Sequence, residues 1–322
     1  MTPTVSVVIP LYNKGPHIER TLASIGAQSS GPLEVIVVDD GSTDGGYEKA
    51  QAFDMPGLRV LRRSPPGPAG SAARNLGTQE ARGEWVALLD ADDEWLPNHL
   101  ADMLDTLARA PEAAKVAGIF TGLRSVFPDG HVEDDRLVAV GSLPDALDFE
   151  GLINLWLKLG TTPISSSSSM IRRSVLLEVG GFPAGRCARG EDKDTWLRVA
   201  SRGLWLPTRR VSAVYHRDAV NMTTRQRFAN QVPCILHSIN GLLIGAPAGE
   251  QVLLRRLANL EIFQHALATT RVETLKESSW ASFDRRLQPG RAAILSLLSM
   301  APLSAAIRWV AGLFRRDGST AG

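Results

Sequence analysis

The sequence predicts an α/β protein: a mostly parallel central sheet flanked by helices, followed by a helical C-terminal region. Three observations predict it. Short β-branched runs alternate with stretches of helical period from Val5 onward, the signature of parallel strands joined by crossover helices. Two acidic clusters, Asp39-Asp40 and Asp90-Asp92, fall at the C-terminal ends of such runs. Beyond residue 222 the alternation stops and the pattern becomes helical.

The elements follow in order. Val5 to Pro10 is a run dominated by β-branched residues, as expected of a strand buried on both faces. Ile18, Leu22 and Ile25 then recur at helical spacing, and Leu33 to Val38 forms the second strand, ending at Asp39-Asp40-Gly41-Ser42. The two strands make a βαβ unit and should be parallel. A third strand around Leu58 to Leu61 runs into the Pro- and Gly-rich loop RRSPPGPAGS, which disfavours helix until Ser71. Ala72 to Arg82 reads as a helix and Trp85 to Leu89 as the next strand. The expected organisation is an α/β domain over residues 1–222, in two halves at about 1–100 and about 101–222, and a helical region over 223–322.

Composition narrows the class. Hydrophobic residues make up 44% of the 322 and charged residues 21%, as in a globular protein, and a net charge of +1 gives no support for nucleic-acid binding. Cys187 and Cys234 are the only cysteines, so neither a disulfide framework nor a cysteine-rich zinc site is expected, and Cys187 reads as a bystander thiol. No basic segment followed by a long apolar core precedes the first strand, so no signal peptide is expected and a reducing cytoplasm fits.

The segment LLDADDEW carries the most chemistry. Two like charges about 4 Å apart repel by roughly 4 kcal/mol at an effective dielectric near 20, so a fold that gathers Asp90, Asp92 and Asp93 should supply a cation, a proton or strong donors. All-oxygen ligands suit Mg²⁺ or Mn²⁺, which bind through one or two carboxylates while substrate phosphates complete the shell. In open α/β sheets ligands bind outside the C-terminal ends of the strands, and both acidic clusters lie on that rim. What is absent narrows the ligand. PLYNKG, not a G-x-G-x-x-G turn, follows the first strand, and no phosphate-cradling G-x-x-x-x-G-K-[ST] loop occurs. A phosphatase using an aspartyl nucleophile should carry its D-x-D after the first strand, whereas this one follows a later strand.

Five segments in order carry a resemblance: VSVVIPLYNK at 5–14, EVIVVDDGSTDG at 34–45, AARNLG at 72–77, LLDADDEWLPNHL at 88–100 and GEDKDTWLRVA at 190–200. Together they resemble family 2 glycosyltransferases of the GT-A fold, over roughly Val5 to Leu206. The resemblance implies an inverting enzyme that takes a sugar from a nucleotide-diphosphate donor, with Mg²⁺ or Mn²⁺ bridging the diphosphate. It implies Asp92 as metal ligand, with Asp90, two residues earlier and on the same side, assisting or bonding the donor ribose, and Ala91 bordering the donor between them. Asp93 points elsewhere and reads as helix-start charge. Asp40 resembles the carboxylate that accepts a base N–H, suited to uracil, with Asp39 beside it. Tyr12 would stack on the base, Pro10 and Asn13 would shape the backbone around it, and Arg74 would meet the donor phosphates or ribose, oriented by Asn75. Asp192 would be the base that deprotonates the acceptor hydroxyl, and Glu191 would contact the acceptor or position the loop; helix-start charge is the competing explanation for both.

Outside those motifs, His216 occupies a strand-like position where the resemblance to GT-A enzymes implies a metal or phosphate ligand, a satisfied structural histidine being the alternative. The serine run Ser165 to Ser169 reads as a polar strand or turn that could line the acceptor cleft. Gln226-Arg227-Phe228 does not match the Q-x-x-R-W motif of processive members, so a single-addition enzyme acting on a glycan or lipid-linked acceptor is expected. Leu253, Leu257, Leu260, Phe263 and Leu267 mark one apolar helix face. The segment 290–316 lacks charge from Ala292 to Ile307 and ends in Arg315-Arg316. It is too short to span a bilayer and is expected to touch the inner face of the cytoplasmic membrane. Oligomerisation is left open. Two other classes stand as alternatives: a sugar-nucleotide pyrophosphorylase, which should carry a Gly-rich loop after the first strand, and a non-catalytic nucleotide-sugar-binding protein, against which Asp92 and Asp192 argue.

Overall fold

The computed structural model describes residues 3–65, 70–135, 137, 140–141, 143–187, 190–219, 233–269 and 282–298. The chain divides into two units, Met1–Arg225 and Gln226–Gly322. In the first unit β1 (Val5–Leu11) is buried in both alternating registers, with Ser6 its one polar residue. Val5, Val7, Ile9 and Leu11 pack into one core with Ile18, Leu22 and Ile25 of α1 (Ile18–Gly26), while Val8 faces a second core on the other side of the sheet. A strand covered on both faces can be apolar throughout, which is why its run shows no alternation.

The strands β2 (Glu34–Asp39), β3 (Leu58–Arg62) and β4 (Trp85–Leu88) join β1 in parallel. Between them lie α2 (Gly46–Ala52), absent from the sequence reading, and α3 (Ser71–Glu80). Beyond β4 the sheet becomes mixed: β8 (Ser169–Arg172) runs antiparallel to β4 and to β6 (Val116–Val126), while β9 (Leu204–His216) pairs parallel to β6. The short strand β5 (Glu94–Trp95) closes the far edge on β9, and β7 (Val132–Asp134) hangs on β6. The path is β3, β2, β1, β4, β8, β6, β9, β5. Flanking it are α4 (His99–Ala108), α5 (Phe149–Leu159), α6 (Arg173–Glu178) and α7 (Glu191–Ala200).

Register aligns one rim of the sheet. Leu11 pairs with Asp39 across β1 and β2, and Val8 pairs with Leu88 across β1 and β4. The loops after β1, β2 and β4 therefore leave the sheet side by side, which places PLYNKG, DDGS and DADD together.

The second unit contains α8 (Ile235–Leu243), α9 (Ala248–Thr269) and α10 (Pro289–Leu298). The buried side of α9 is set by Leu254, Leu257, Ala258, Leu260, Ile262 and Ala266, whereas Leu267 is half exposed. The expected stripe is thus corrected at its C-terminal end, where Ala266 is buried and Leu267 is not, a small residue that a count of large apolar side chains overlooks. Of the expected membrane segment, residues 290–298 lie in α10 and the rest lies outside the described residues, as does Gln226-Arg227-Phe228. Among the described residues no helix is long and apolar enough to cross a membrane. Neither Cys187 nor Cys234 is a free thiol; both are disulfide-bonded, which corrects the expectation that two cysteines form no disulfide, because a cysteine count does not say which sulfurs are oxidised.

Candidate active site

The loop after β4 is a tight turn, closed by the Asp93 N–H donating to the Asp90 carbonyl at 3.0 Å. The strand already ends at Leu88, so strand alternation no longer governs the aspartates, and Asp90 and Asp92 face different cations. Asp90 Oδ1 accepts from Arg74 Nη2 at 2.7 Å. Asp92 Oδ2 lies 2.5 Å from Lys14 Nζ, with side-chain exposures of 11% and 14%. The two carboxylates, expected on one side, are thus each engaged by a separate cation. The methyl of Ala91 is packed in the core beneath the turn, which leaves its backbone as the part able to meet a ligand.

Asp93 is buried, and α4 does not begin until His99, so it is not the helix-start charge expected of it. Ser167 Oγ donates to Asp93 Oδ2 at 2.5 Å. Burial, with Asp92 and Asp90 adding repulsion, pushes the Asp93 carboxyl well above the usual range. The turn is also held from α1, where Arg20 Nη2 donates to the Asp92 carbonyl and Thr21 Oγ1 to the Asp93 carbonyl, each at 2.8 Å. His216, at the end of β9, directs Nε2 to Glu94 Oε1. It therefore stands next to the turn, with that nitrogen engaged by a neighbouring carboxylate.

The loops after β1 and β2 form one wall. Tyr12 is 55% exposed and presents a free aromatic face rather than a core contact. Asn13, at φ 50°, accepts from the Thr43 N–H at 2.9 Å, while its own N–H donates to Ser42 Oγ at 3.0 Å. Its contribution is to tie the two loops together, beside Pro10 at the end of β1. Asp39 is buried and organises its own turn: it accepts from the Ser42 N–H at 3.1 Å and from Arg62 Nε at 3.0 Å. Asp40 Oδ1 accepts from Arg63 Nε at 2.7 Å.

Opposite stands the start of α7. Gly190, at φ 78°, turns the chain in the left-handed region that favours glycine, and delivers Glu191 and Asp192 at the first turn. Arg74 reaches across to them: its Nη1 lies 3.2 Å from Glu191 Oε1 while its Nη2 holds Asp90. The guanidinium is buried against Phe182, 5.4 Å from the ring centre. It also passes so close to Gly70 that a Cβ there would lie 3.3 Å from Nη1. Burial opposes its charge, but Asp90 and Glu191 outweigh burial and hold the guanidinium protonated. Asn75 clasps the segment before α7, donating to the Phe182 carbonyl at 2.8 Å and accepting from the Phe182 N–H at 2.7 Å. Burial, then repulsion from Asp192, raises the Glu191 carboxyl to about 7 against the pull of Arg74. Asp192 Oδ1 accepts from the Lys193 N–H at 2.8 Å.

The structure thus brings Asp90, Asp92, Arg74, Glu191 and Asp192 to one cleft edge, with Asp39, Asp40, Tyr12 and Asn13 on the adjoining wall. Sequence reasoning missed Lys14, Arg20, Arg63 and Ser167. Lys14 and Ser167 stood inside segments already singled out, but nothing local named their partners.

Two carboxylates on a sheet rim are a hard-oxygen donor set of the kind that holds Mg²⁺ or Mn²⁺ beside substrate phosphates. The Lys14 ammonium on Asp92 shows that the position accepts a cation. Among the described residues no group of three His, Cys, Asp or Glu side chains is set to hold a metal unaided, so any ion there would take further ligands from substrate or water.

Residues 6–180 match the family described as glycosyl transferase family 2. The chain is 30% identical over 202 residues to the putative teichuronic acid biosynthesis glycosyltransferase TuaG of Bacillus subtilis (strain 168), covering 62% of this chain and 73% of that protein. It is 29% identical over 255 residues to an N-acetylglucosaminyl-diphospho-decaprenol L-rhamnosyltransferase of Mycobacterium tuberculosis (strain CDC 1551 / Oshkosh), covering 68% and 78%. Among solved structures, S. aureus TarS 1-349 in complex with UDP-GlcNAc superposes with a TM-score of 0.58 at 16% identity, covering 89% of each chain. At that identity the likeness shows the fold, which is GT-A.

Proposed function

Because the chain belongs to glycosyl transferase family 2, we propose that it is an inverting, non-processive glycosyltransferase. It moves a sugar from a nucleotide-diphosphate donor, a UDP-sugar, to a hydroxyl of a glycan or lipid-linked acceptor in cell-surface polysaccharide or glycoconjugate synthesis. The observation that carries this reading is the Arg74 bridge. One buried guanidinium joins Asp90 on the leaving-group side to Glu191 beside the acceptor-side carboxylate, so both halves of a displacement meet within the reach of one side chain.

In this reading the nucleotide lies along the loops after β1 and β2, with the base on Tyr12 and its N–H bonded to Asp40. Asp92 and Asp90 hold Mg²⁺ or Mn²⁺ when it is bound, and the ion stabilises charge on the departing diphosphate. Asp192 takes the proton of the acceptor hydroxyl as that oxygen attacks the anomeric carbon from the face opposite the leaving group. Glu191 and Arg74 fix the start of α7 relative to the donor. A base on one face and a leaving group on the other need no covalent intermediate, so the anomeric configuration inverts. The names of TuaG and the rhamnosyltransferase support the cell-surface and lipid-linked parts of the proposal, and the UDP-GlcNAc bound by TarS supports a UDP donor. Such acceptors suit a protein working at the inner face of the cytoplasmic membrane.

The test is a panel of UDP- and GDP-sugars assayed for metal-dependent hydrolysis, followed by transfer to the acceptor found and NMR of the product anomer. Asp192→Asn should lose about 10²- to 10⁴-fold in kcat, the usual contribution of a positioned base, while keeping donor affinity. Near-parent turnover in that variant, or retention of configuration, would overturn the assignment.

A further inference from the structure

We propose that Ser167 is a positioning residue for the Asp90–Asp93 turn, setting the geometry in which that turn receives a metal-bound diphosphate. The inference rests on the reading of Asp92 as the metal ligand and goes beyond it. Ser167 lies in the serine run, within a 3-10 turn over Ser166–Ser168 that leads into β8. Its side chain is fully buried. The single hydroxyl makes two bonds to the two ends of the turn: Oγ accepts from the Asp90 N–H at 3.1 Å and donates to Asp93 Oδ2 at 2.5 Å. A hydroxyl has one proton and two lone pairs, so these two bonds use it in both senses, and neither an alanine nor a lone acceptor can replace it.

Ser167 is itself held. The indole N–H of Trp95 donates to the Ser167 carbonyl at 2.6 Å, and the Trp95 ring stacks on His99 with centroids 4.3 Å apart. The Trp95 backbone N–H is in turn fixed by Ser24 Oγ at 3.2 Å. Arg20 and Thr21 hold the carbonyls of the same turn from α1. Hence the turn is clamped on the α1 side through its carbonyls and on the β8 side through an N–H and a carboxyl. Ser167 bonds both ends of the turn on that side, where the His216 N–H also donates to the Asp93 carboxyl. Removing its hydroxyl leaves the α1 contacts, and so the fold, in place while freeing the Asp90 N–H and taking from the Asp93 carboxyl its side-chain donor, the His216 N–H remaining, so that the positions of Asp90 and Asp92 are less tightly fixed.

The experiment measures Mn²⁺–UDP affinity by titration calorimetry, with Tm as a second readout, for the parent, Ser167→Ala, Trp95→Phe and Asp92→Ala. Ser167→Ala should weaken Mn²⁺–UDP about tenfold, ~1.4 kcal/mol. Trp95→Phe keeps an aromatic side chain but loses the N–H together with the fused ring's volume, so it should lower Tm as well as weaken binding about threefold. Asp92→Ala should abolish the metal-dependent part. If Ser167→Ala and Trp95→Phe lower Tm yet stay within twofold of the parent affinity while Asp92→Ala loses binding, Ser167 is merely structural and the proposal falls. If Asp92→Ala binds like the parent, the metal-site reading itself falls, and this inference with it.

Discussion

Glu191→Gln tests the electrostatics of the cleft without touching its shape. Glu191 is buried to 12% side-chain exposure and its carboxyl is raised from 4.5 to about 7, chiefly by burial and then by Asp192. An acid whose pKa is higher folded than unfolded stabilises the fold while protonated. That contribution is fully present below pH 4.5 and is lost as pH rises through about 7. At ~1.36 kcal/mol per pH unit, the rise is worth about 3 kcal/mol. Glutamine keeps the Oε1 that accepts from Arg74 but never ionises, so the variant escapes this loss. At about 2–4 °C per kcal/mol for a unit of this size, the Tm of Glu191→Gln should match the parent near pH 5 and exceed it by roughly 5–10 °C near pH 9. Calorimetric or fluorescence melts in a pH series measure the gap. A Tm difference that stays constant from pH 5 to 9 would refute the reasoning, since it would mean that Glu191 is ionised throughout or strained for another reason.

Further outcomes follow from other contacts. Lys14→Met removes the ammonium that sits on Asp92, and Mn²⁺ binding without nucleotide, followed by EPR titration, should tighten severalfold because the carboxylate loses its resident cation. At the opposite rim, burial disfavours an ionised Glu34, yet bonds from Arg82, Ser6 and Arg59 bring it down to about 2. Its stabilisation is therefore present above pH 4.5 and lost on acidification toward 2; Glu34→Gln should cost about 2–3 kcal/mol near pH 7 and little near pH 2, by urea unfolding. In Gly118→Ala a new Cβ would lie 2.5 Å from the Trp205 ring, and overpacking should cost about 1–3 kcal/mol without altering Mn²⁺–UDP affinity.

The strands and the two acidic clusters were legible because their signals are local. Runs dominated by β-branched residues, such as Val5 to Pro10, state their burial, and parallel connections are right-handed almost by necessity, so the rim position of Asp39-Asp40 and Asp90-Asp92 followed. The misreadings occurred where a residue's role depends on something distant in sequence. Asp93 was taken for a helix start because a helix follows, but the turn ends at β5 and its carboxyl is claimed by Ser167. For Asp90 and Asp92, the cation each carboxylate meets, Arg74 for one and Lys14 for the other, could not be read from their spacing along the chain.

The sequence by itself therefore determined the α/β architecture, the rim on which chemistry gathers, and the residue types that meet there, since hydrophobic period and motif order are properties of neighbours along the chain. Only the tertiary structure decided the pairings: Lys14 with Asp92, Arg74 between Asp90 and Glu191, and Ser167 beneath the turn. Such contacts join segments remote in sequence. Their energies depend on distance and burial, which the linear order of residues does not contain.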